Sequence, residues 1–247
     1  MKEILFDNIV YNTGRYEDFI NFLLRHITEV KDDKLILVHI NLRNYYYMNK
    51  DSGLKNFIKD NCFVIFEGIG LKAAFFLKGY GILSDLNGTD AFPQFMEKIS
   101  TACKKIYLVG SSKQNVELSA KKIGDKYPLI GISGCRDGYF SLEEEKSIIN
   151  KINISGAQVL FIGRGFPLQE EFVLRNKDLL KVKLIWNVGG LFDTISGSKR
   201  RAPVTYRKLR LEWLYRMMKE PRRMIHRNLI AAFWSIAHIL LMKRSRL

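Results

Sequence analysis

Short apolar runs that end in glycine turns recur along the chain from Leu35 to about Trp186. A segment with helical spacing of apolar residues follows most of these runs, and such alternation is typical of parallel strands joined by crossover helices. The runs predict five strands, at residues 35–40, 63–66, 106–109, 159–162 and 184–188. We therefore expect an α/β fold, a Rossmann-like parallel sheet with helices on both faces.

Two of the connecting segments have clear helical patterns. Residues 114–127 carry apolar side chains at helical spacing, and residues 142–152 follow Ser141-x-x-Glu144, which has the form of a capping box.

The glycine turns after the strands are candidate ligand-binding positions. In an open parallel sheet, ligands bind beyond the carboxyl ends of the strands, where helix N-termini and backbone amides meet phosphate. The chain has Gly163-x-Gly165 without a third glycine and no Gly-Lys-Ser/Thr sequence, so it has neither a dinucleotide nor an NTP-hydrolysis fingerprint. The alternative is that these glycines only form tight turns.

Glu67 is the first candidate for acid–base chemistry. It directly follows the run 63–66 and precedes a glycine, so a carboxylate is expected at the carboxyl end of a strand. A carboxylate there can take a proton from a sugar hydroxyl. The alternative is an acid at the start of a helix.

Polar residues in two other turns are candidates for ligand binding. Thr89 and Asp90 belong to Asn87-Gly-Thr-Asp90 and can hold a ligand hydroxyl, or Asp90 can be the N-cap of a helix that begins near residue 92. Gln169 offers both a donor and an acceptor to a nucleobase or a sugar. For Gln169 and Glu170 the alternative is a solvated helix face.

Composition narrows the class of protein. With 247 residues, of which 47% are hydrophobic, the chain can bury a large core. Its three cysteines form no Cys-x-x-Cys pair and its four histidines no His-x-x-x-His pair, so we expect neither a disulfide framework nor a metal site. The first residues do not have the pattern of a secretory signal, and a reducing cytoplasm is the expected compartment.

Positive charge is concentrated after residue 198. Fourteen Lys and Arg and two acidic residues follow, so this stretch holds +12 of the formal net charge of +15. The charge predicts a docking surface for phosphate groups or for an anionic membrane leaflet. We place a domain boundary here, with a Rossmann-like catalytic domain at 1–196 and a basic, helical, membrane-associating appendage at 197–247.

The appendage includes an apolar stretch at residues 228–242. On a helix, Asn228, Ser235 and His238 share one narrow stripe, and apolar side chains cover the rest. Fifteen residues span about 22 Å, too short for the roughly 30 Å hydrocarbon core, so we expect a helix lying at the membrane interface. The alternative is a helix packed on the core or on a second subunit.

Five motifs, taken together and in this order, resemble those of the WecG/TagA/CpsF glycosyltransferases, family 26, over residues 5–227. The motifs are Asn87-Gly-Thr-Asp90, Gly163-x-Gly-x-Pro-x-Gln-Glu170, Val188-Gly-Gly-x-Phe-Asp193, Gly197-x-x-x-Arg-Ala-Pro203, and Glu212-Trp-Leu-Tyr-Arg216 with Glu220-Pro-Arg-Arg223.

The resemblance implies a bacterial, inverting, metal-independent hexosyltransferase that needs no cofactor. It implies transfer of an N-acetylmannosamine-type or glucose-type sugar from a UDP-sugar to a polyprenyl-diphosphate-linked acceptor. Such enzymes serve teichoic acid, cell-wall or exopolysaccharide biosynthesis. The implied location is the cytoplasmic face of the cell membrane, as a peripheral protein.

The resemblance also implies site residues. The base of the family is an aspartate, where this chain has Glu67. Asn41, Thr89, Asp90 and Gln169 match donor- or acceptor-binding residues, and His39 stands at a further one, where the family has threonine. Asp85 stands where the family has arginine. The arginines that bind the lipid diphosphate correspond to the following residues: Arg216 and Arg223, with Arg222 and Arg227 nearby.

The sequence also leaves open two other functions and the formation of a homo-oligomer. The departures at residues 39, 67 and 85 are compatible with a noncatalytic, membrane-tethered sugar-nucleotide-binding protein. A pI near 9.7 is compatible with a nucleic-acid-binding module, but no recognised signature supports one, so we expect no nucleic acid partner. The chain could also form a homo-oligomer.

Overall fold

The computed structural model describes residues 1–30, 33–100, 105–203, 205–206, 212–219 and 229–243. Within these residues eight strands form one sheet. The strands are β1 (Lys2–Phe6), β2 (Ile9–Thr13), β3 (Leu35–Ile40), β4 (Phe63–Phe66), β5 (Lys105–Gly110), β6 (Gly131–Arg136), β7 (Val159–Gly163) and β8 (Leu184–Asn187). The five predicted strands are confirmed as β3, β4, β5, β7 and β8.

Helices cover both faces of the sheet, as the sequence predicts. They are α1 (Tyr16–Glu29), α2 (Leu42–Met48), α3 (Ser52–Asn61), α4 (Ile69–Leu77), α5 (Gly88–Ile99), α6 (Lys113–Lys126), α7 (Leu142–Ile154), α8 (Leu168–Asn176), α9 (Leu191–Ser196), α10 (Glu212–Lys219) and α11 (Ile230–Leu241). The two predicted helices are confirmed as α6 and α7, and α7 begins with the capping box of Ser141 and Glu144.

The sheet is parallel except at one edge. Its strand order is β1-β2-β4-β3-β8-β7-β5-β6, and only β1 pairs antiparallel, with β2. The β1–β2 hairpin turns at Asp7 and Asn8, whose φ angles of 53° and 60° suit a tight hairpin turn. The two halves of the sheet meet between β3 and β8, which brings the carboxyl ends of β3, β4, β7 and β8 to one crevice.

Successive side chains of a strand point to opposite faces of the sheet, so the core has two layers, one on each face. Helices α2, α3, α4, α7, α8 and α11 pack with one face of the sheet. Helices α1, α5, α6 and α9 pack with the other face, which contains Leu37 of β3, Ile65 of β4 and Trp186 of β8. Because side chains two positions apart share a face, His39 and Glu67 belong to this second layer.

The C-terminal helix α11 packs on α2 and α4. The polar stripe that the sequence predicts faces the protein: Ser235 donates to the carbonyl of Leu42 at 2.8 Å, and Nδ1 of His238 lies 2.9 Å from the Tyr45 hydroxyl. Ile239, on the same side of the helix, is buried in the core. Asn228 lies outside the described residues. No helix of the described ranges has the length and apolar content needed to cross a bilayer. The helix therefore presents its polar stripe to the protein and much of its apolar surface outward.

Candidate functional site at the carboxyl edge of the sheet

Glu67 lies at the carboxyl end of β4, where the sequence places it. The next residue, Gly68, has a φ of 92°, in the region that favours glycine, and it is the N-cap of α4. The backbone N–H of Gly68 donates to Oδ1 of Asp85 at 2.9 Å. Asp85, which replaces the arginine expected from the resemblance, thus fixes the turn that carries Glu67.

Behind Glu67 lies a buried histidine. Nδ1 of His39 is 2.9 Å from Oε2 of Glu67, at an angle outside hydrogen-bond geometry. On the other side of the ring, Nε1 of Trp186 donates to Nε2 of His39 at 2.9 Å. Three neighbouring strands, β8, β3 and β4, therefore align three polar groups towards the crevice.

Asn87 connects Glu67 to the start of α5. It is the N-cap of this helix, and its side-chain oxygen accepts the N–H of Thr89 at 2.9 Å. Its side-chain nitrogen lies 3.4 Å from Oε1 of Glu67. The interpretation of Asp90 as an N-cap of a helix beginning near residue 92 is wrong, because the helix begins four residues earlier, at Gly88, with Asn87 as its N-cap, and Asp90 lies in its first turn.

Asp90 is an ion-pair partner instead. Nη2 of Arg201 lies 2.6 Å from Oδ1 of Asp90 and 3.3 Å from Oε1 of Glu212. Arg201 thus joins the first turn of α5 to the first residue of α10. Helix α10 carries Arg216, whose side chain is outside the described residues, as are Arg222, Arg223 and Arg227.

Tyr16 is surrounded by the same acidic groups. Its hydroxyl oxygen accepts the N–H of Asn87 at 3.0 Å. Burial raises the pKa of the Tyr16 phenol, and the nearby carboxylates of Asp90 and Asp85 raise it further. The phenol therefore stays neutral, and its hydroxyl is held beside the start of α5 by the hydrogen bond from Asn87.

Asn41 follows β3 and begins α2. Its side-chain oxygen accepts the N–H of Asn44 at 3.0 Å, so it is the N-cap of α2. A Cβ placed on Gly68 would lie 3.6 Å from Cβ of Asn41, which shows how closely the two turns approach. Asn41 therefore lies beside the turn of Glu67, as the resemblance implies.

Gln169 joins the turns after β7 and β8. Its side-chain oxygen accepts the N–H of Gly165 at 3.2 Å and the N–H of Gly189 at 3.1 Å. Its side-chain nitrogen donates to Glu170 at 2.8 Å. Gln169 is buried, so neither it nor Glu170 lies on the solvated helix face that the sequence left open.

Glu170 is a fully buried carboxyl group. Burial raises its pKa to about 8, although hydrogen bonds from Gln169 and Asn187 act in the opposite direction. Its Oε1 accepts from Asn187 at 3.3 Å, and among the described residues its Oε2 has no hydrogen-bond partner. Glu170 is therefore protonated over much of the neutral pH range.

A second polar cluster surrounds Asp193 at the start of α9. Its carboxylate accepts from Ser111, Asn115 and Lys199. Burial pushes the pKa of Asp193 upward, but the hydrogen bonds from Lys199 and Ser111 outweigh it and hold the pKa below its usual value. The cluster ties the turn after β5 to the segment after α9.

The turns after β5 and β7 approach each other closely. Gly110 has a φ of 146°, and a Cβ there would lie 2.4 Å from backbone atoms of Gly163. A larger residue at Gly110 would push the two turns apart. Helices α6 and α8 begin beyond these turns, so their N-termini lie at the carboxyl edge of the sheet and can attract an anionic ligand.

The structure gathers four of the six predicted donor, acceptor and base residues around one turn and places a fifth beside them. His39, Glu67, Thr89 and Asp90 are connected through Asn87 and Gly88, and Asn41 adjoins Gly68. Gln169 lies further along the same edge, at the ends of β7 and β8. Among the described residues, no three His, Cys, Asp or Glu side chains form a group that could hold a metal ion.

Four contributors to the site were not among the predicted residues: Trp186, Asn87, Tyr16 and Arg201. Asn87 could have been found as a helix N-cap, since Asn-Gly-Thr-Asp places a capping side chain before an acidic first turn. Trp186 could have been found from strand alternation only with the strand order known. Arg201 could have been found as the arginine of the motif Gly197-x-x-x-Arg-Ala-Pro203, whereas the sequence carries no local signal for Tyr16.

Comparison with known proteins supports the resemblance seen in the motifs. The profile of the family described as "Glycosyl transferase WecG/TagA/CpsF family" matches residues 4–247. Three similar proteins are each named N-acetylglucosaminyldiphosphoundecaprenol N-acetyl-beta-D-mannosaminyltransferase.

The three relatives come from two species of Bacillus and from Staphylococcus aureus. The protein from Bacillus subtilis (strain 168) is 28% identical over 87% of this chain and 83% of its own length. The protein from Bacillus spizizenii is 29% identical over 65% of this chain and 62% of its own length. The protein from Staphylococcus aureus (strain MW2) is 25% identical over 77% of this chain and 74% of its own length. Because the family profile covers nearly the whole sequence, the chain belongs to the WecG/TagA/CpsF family of glycosyltransferases.

Proposed function

We propose that this protein transfers a hexose from a UDP-sugar to an acceptor linked to polyprenyl diphosphate, in the synthesis of a cell-surface polysaccharide or teichoic acid. Family membership supports glycosyl transfer. The names of the three relatives support N-acetylmannosamine as the sugar and a lipid-diphosphate-linked N-acetylglucosamine as the acceptor. A glucose-type donor is the second choice, since the polar residues near Glu67 differ from the family pattern.

One observation carries the mechanism: Glu67 stands at the carboxyl end of β4 with a side chain 22% exposed, while His39 and Asn87 contact its two oxygens. Glu67 takes the proton of the acceptor hydroxyl as the hydroxyl oxygen attacks the anomeric carbon. The bond from that carbon to the UDP oxygen breaks, and UDP leaves with the electron pair. A single displacement of this kind inverts the anomeric configuration.

The negative charge of the leaving UDP needs compensation. We propose that the N-termini of α6 and α8 and the backbone amides of the glycine turns supply it, without a divalent metal ion. Arg216, Arg222, Arg223 and Arg227 are proposed to bind the diphosphate of the lipid acceptor. The ion pair of Arg201 with Glu212 supports this placement, because it holds the first residue of α10 next to Asp90.

We further propose that the protein docks peripherally on the anionic cytoplasmic face of the membrane through α11 and α4. Large apolar side chains of both helices point outward, and α11 contacts α4. Phe233 is 72% exposed and Leu77 is 68% exposed. A helix with its polar stripe buried and its apolar side outward gains stability from contact with lipid.

Aromatic and basic side chains border this apolar surface. Trp234 packs edge-to-face with Tyr46, and Nζ of Lys50 lies 5.4 Å from the ring centres of both. Arg43 lies over the ring of Tyr47 at 5.1 Å. Aromatic rings with a polar end and long basic side chains favour the headgroup region of a bilayer, which supports the anionic membrane as the partner.

Release of UDP tests the reaction. The assay would present a panel of UDP-sugars with a lipid-diphosphate-linked sugar acceptor in detergent, with and without EDTA. The wild type, Glu67→Gln and a matched control, Glu97→Gln on the exposed side of α5, would be compared. We expect acceptor-dependent, EDTA-resistant release that falls by about 10²–10⁴ in Glu67→Gln only. No release with any donor, combined with UDP-sugar binding, would instead indicate a noncatalytic binding protein.

A further inference from the structure

We infer that His39 is a positioning residue for Glu67 and that Trp186 fixes the tautomer in which it acts. The inference rests on the proposed function, in which Glu67 is the base. The three side chains form one line across three neighbouring strands, from the core to the crevice: Trp186 to His39 at 2.9 Å, and His39 to Glu67 at 2.9 Å.

The chemistry of the indole decides which group donates the hydrogen bond between Trp186 and His39. An indole N–H can only donate a hydrogen bond. Nε2 of His39, which receives it, must therefore carry a lone pair, and the proton of the neutral imidazole must be on Nδ1. Nδ1 is the nitrogen that faces Oε2 of Glu67, so Trp186 directs the imidazole proton towards the carboxylate.

The packing around Trp186 keeps this arrangement rigid. The indole is completely buried and is in contact with the rings of Phe19, Phe95 and Phe161, whose centres lie 5.9, 5.2 and 5.7 Å away. The rings of His39 and Trp186 are nearly parallel, with an angle of 13° between them. Both rings are thus enclosed on either side of their shared hydrogen bond.

His39 is itself enclosed. Only 8% of the residue is exposed, and a Cβ at Gly88 would come within 3.2 Å of its ring. A sugar donor in the crevice would meet Glu67 and the first turn of α5 before it met the imidazole. The burial thus favours a role for His39 behind Glu67, rather than direct contact with donor or acceptor.

The consequence is an oriented carboxylate. Nδ1 of His39 lies beside Oε2 and the side-chain nitrogen of Asn87 lies beside Oε1, so each carboxylate oxygen has one neighbouring nitrogen. A small rotation of Glu67 would turn the 2.9 Å contact with Nδ1 into a full hydrogen bond, which would hold the carboxylate more firmly. Loss of the imidazole is therefore expected to lower kcat more than it raises the KM of either substrate.

Kinetics of paired variants test the positioning role. We expect His39→Leu to lower kcat by about 10- to 100-fold, with donor and acceptor KM changed less than about threefold. His39→Asn, which places an amide nitrogen near the position of Nδ1, should recover part of the loss. His26→Leu at the end of α1, the same change at another buried histidine, should retain the wild-type kcat.

A double variant separates positioning from general structural damage. If His39 acts through Glu67, adding His39→Leu to Glu67→Gln should cause no further loss of kcat, because the two residues act as one unit. Additive losses would overturn the inference. Full activity of His39→Leu beside an inactive Glu67→Gln would overturn it while leaving the proposed function intact. Full activity of Glu67→Gln would overturn both.

The tautomer has a readout that needs no turnover. In ¹⁵N-histidine NMR of the full chain, the signals of His39 are identified by their loss in His39→Leu. We expect Nδ1 to be protonated and Nε2 unprotonated in the wild type, and a mixture of tautomers in Trp186→Phe, together with a lower kcat. A proton on Nε2 in the wild type, or an unchanged tautomer in Trp186→Phe, would overturn the assignment of Trp186.

Discussion

Nη2 of Arg201 lies 2.6 Å from Oδ1 of Asp90, across 111 positions of the sequence. The same guanidinium lies 3.3 Å from Glu212, the first residue of α10. One side chain therefore connects the start of α5, next to the proposed base, with the helix that carries Arg216. This contact holds the first residue of α10 beside the first turn of α5.

Arg201→Gln should weaken transfer more than it weakens the fold. The pairs are partly exposed, so their loss should lower the free energy of unfolding by no more than about 1 kcal/mol. The KM for the lipid-linked acceptor should rise several-fold, because α10 loses its connection to Asp90. Steady-state kinetics with both substrates, next to thermal unfolding, would measure the two effects.

Arg200→Gln is the matched control, since Arg200 is exposed and directly precedes Arg201. It removes the same charge and should leave the acceptor KM unchanged. Equal effects of the two substitutions would mean that net charge matters and the contact with Asp90 does not.

Stability should fall with rising pH because of Glu170. Its pKa is about 8 in the folded protein, against an ordinary value of 4.5. The folded state thus holds the proton more tightly than the unfolded state, and stability is lost as pH rises from about 5 through 8. Glu170→Gln, which is neutral at every pH, should remove this slope and be more stable than the wild type at pH 9 by about 1–3 kcal/mol.

Urea unfolding at a series of pH values from 5 to 9 would measure this effect. Glu117→Gln, on the exposed side of α6, is the control and should keep the wild-type slope. A Glu170→Gln protein with the wild-type pH dependence would show that another group is responsible.

Membrane binding should depend on Phe233 and Leu77. Replacing both by serine should weaken binding to phosphatidylglycerol vesicles by about tenfold or more, since each exposed apolar side chain contributes on the order of 1 kcal/mol at the interface. Stability should change little, because neither side chain is buried. Vesicle co-sedimentation would measure the change.

Ile154→Ser provides the control for this surface, because Ile154 is 87% exposed at the end of α7. It should bind vesicles like the wild type. If the double substitution left vesicle binding intact but abolished self-association, the apolar surface would be an interface between two copies of the chain.

Much of the central sheet could be predicted from sequence because buried parallel strands are continuous apolar runs. Strands β3, β4, β5, β7 and β8 have this form. Strand β6 does not: Gly131-Ile-Ser-Gly-Cys-Arg136 lies at the edge of the sheet and is only partly buried, so nothing selects for an apolar run. The β1–β2 hairpin is not predicted, because β1 and β2 combine apolar with charged or polar residues and do not form continuous apolar runs.

Only those parts of the site whose position depends on a single strand could be predicted from the sequence. Glu67 was placed correctly at the end of β4, because its position depends on one strand alone. The line from Trp186 through His39 depends on β8 pairing with β3, an arrangement between residues 147 positions apart. The assignment of the lipid-binding arginines and of the boundary at residue 197 remains a prediction.

Helix α11 also sets an order of events during synthesis. Its partners on α2, Leu42 and Tyr45, leave the ribosome about 190 residues before Ser235 and His238 do. Until then Ile239 of α11 is missing from the core, and the surfaces of α2 and α4 that α11 covers stay exposed. The nascent chain therefore keeps this part of the core exposed until residues 235–239 have been synthesised.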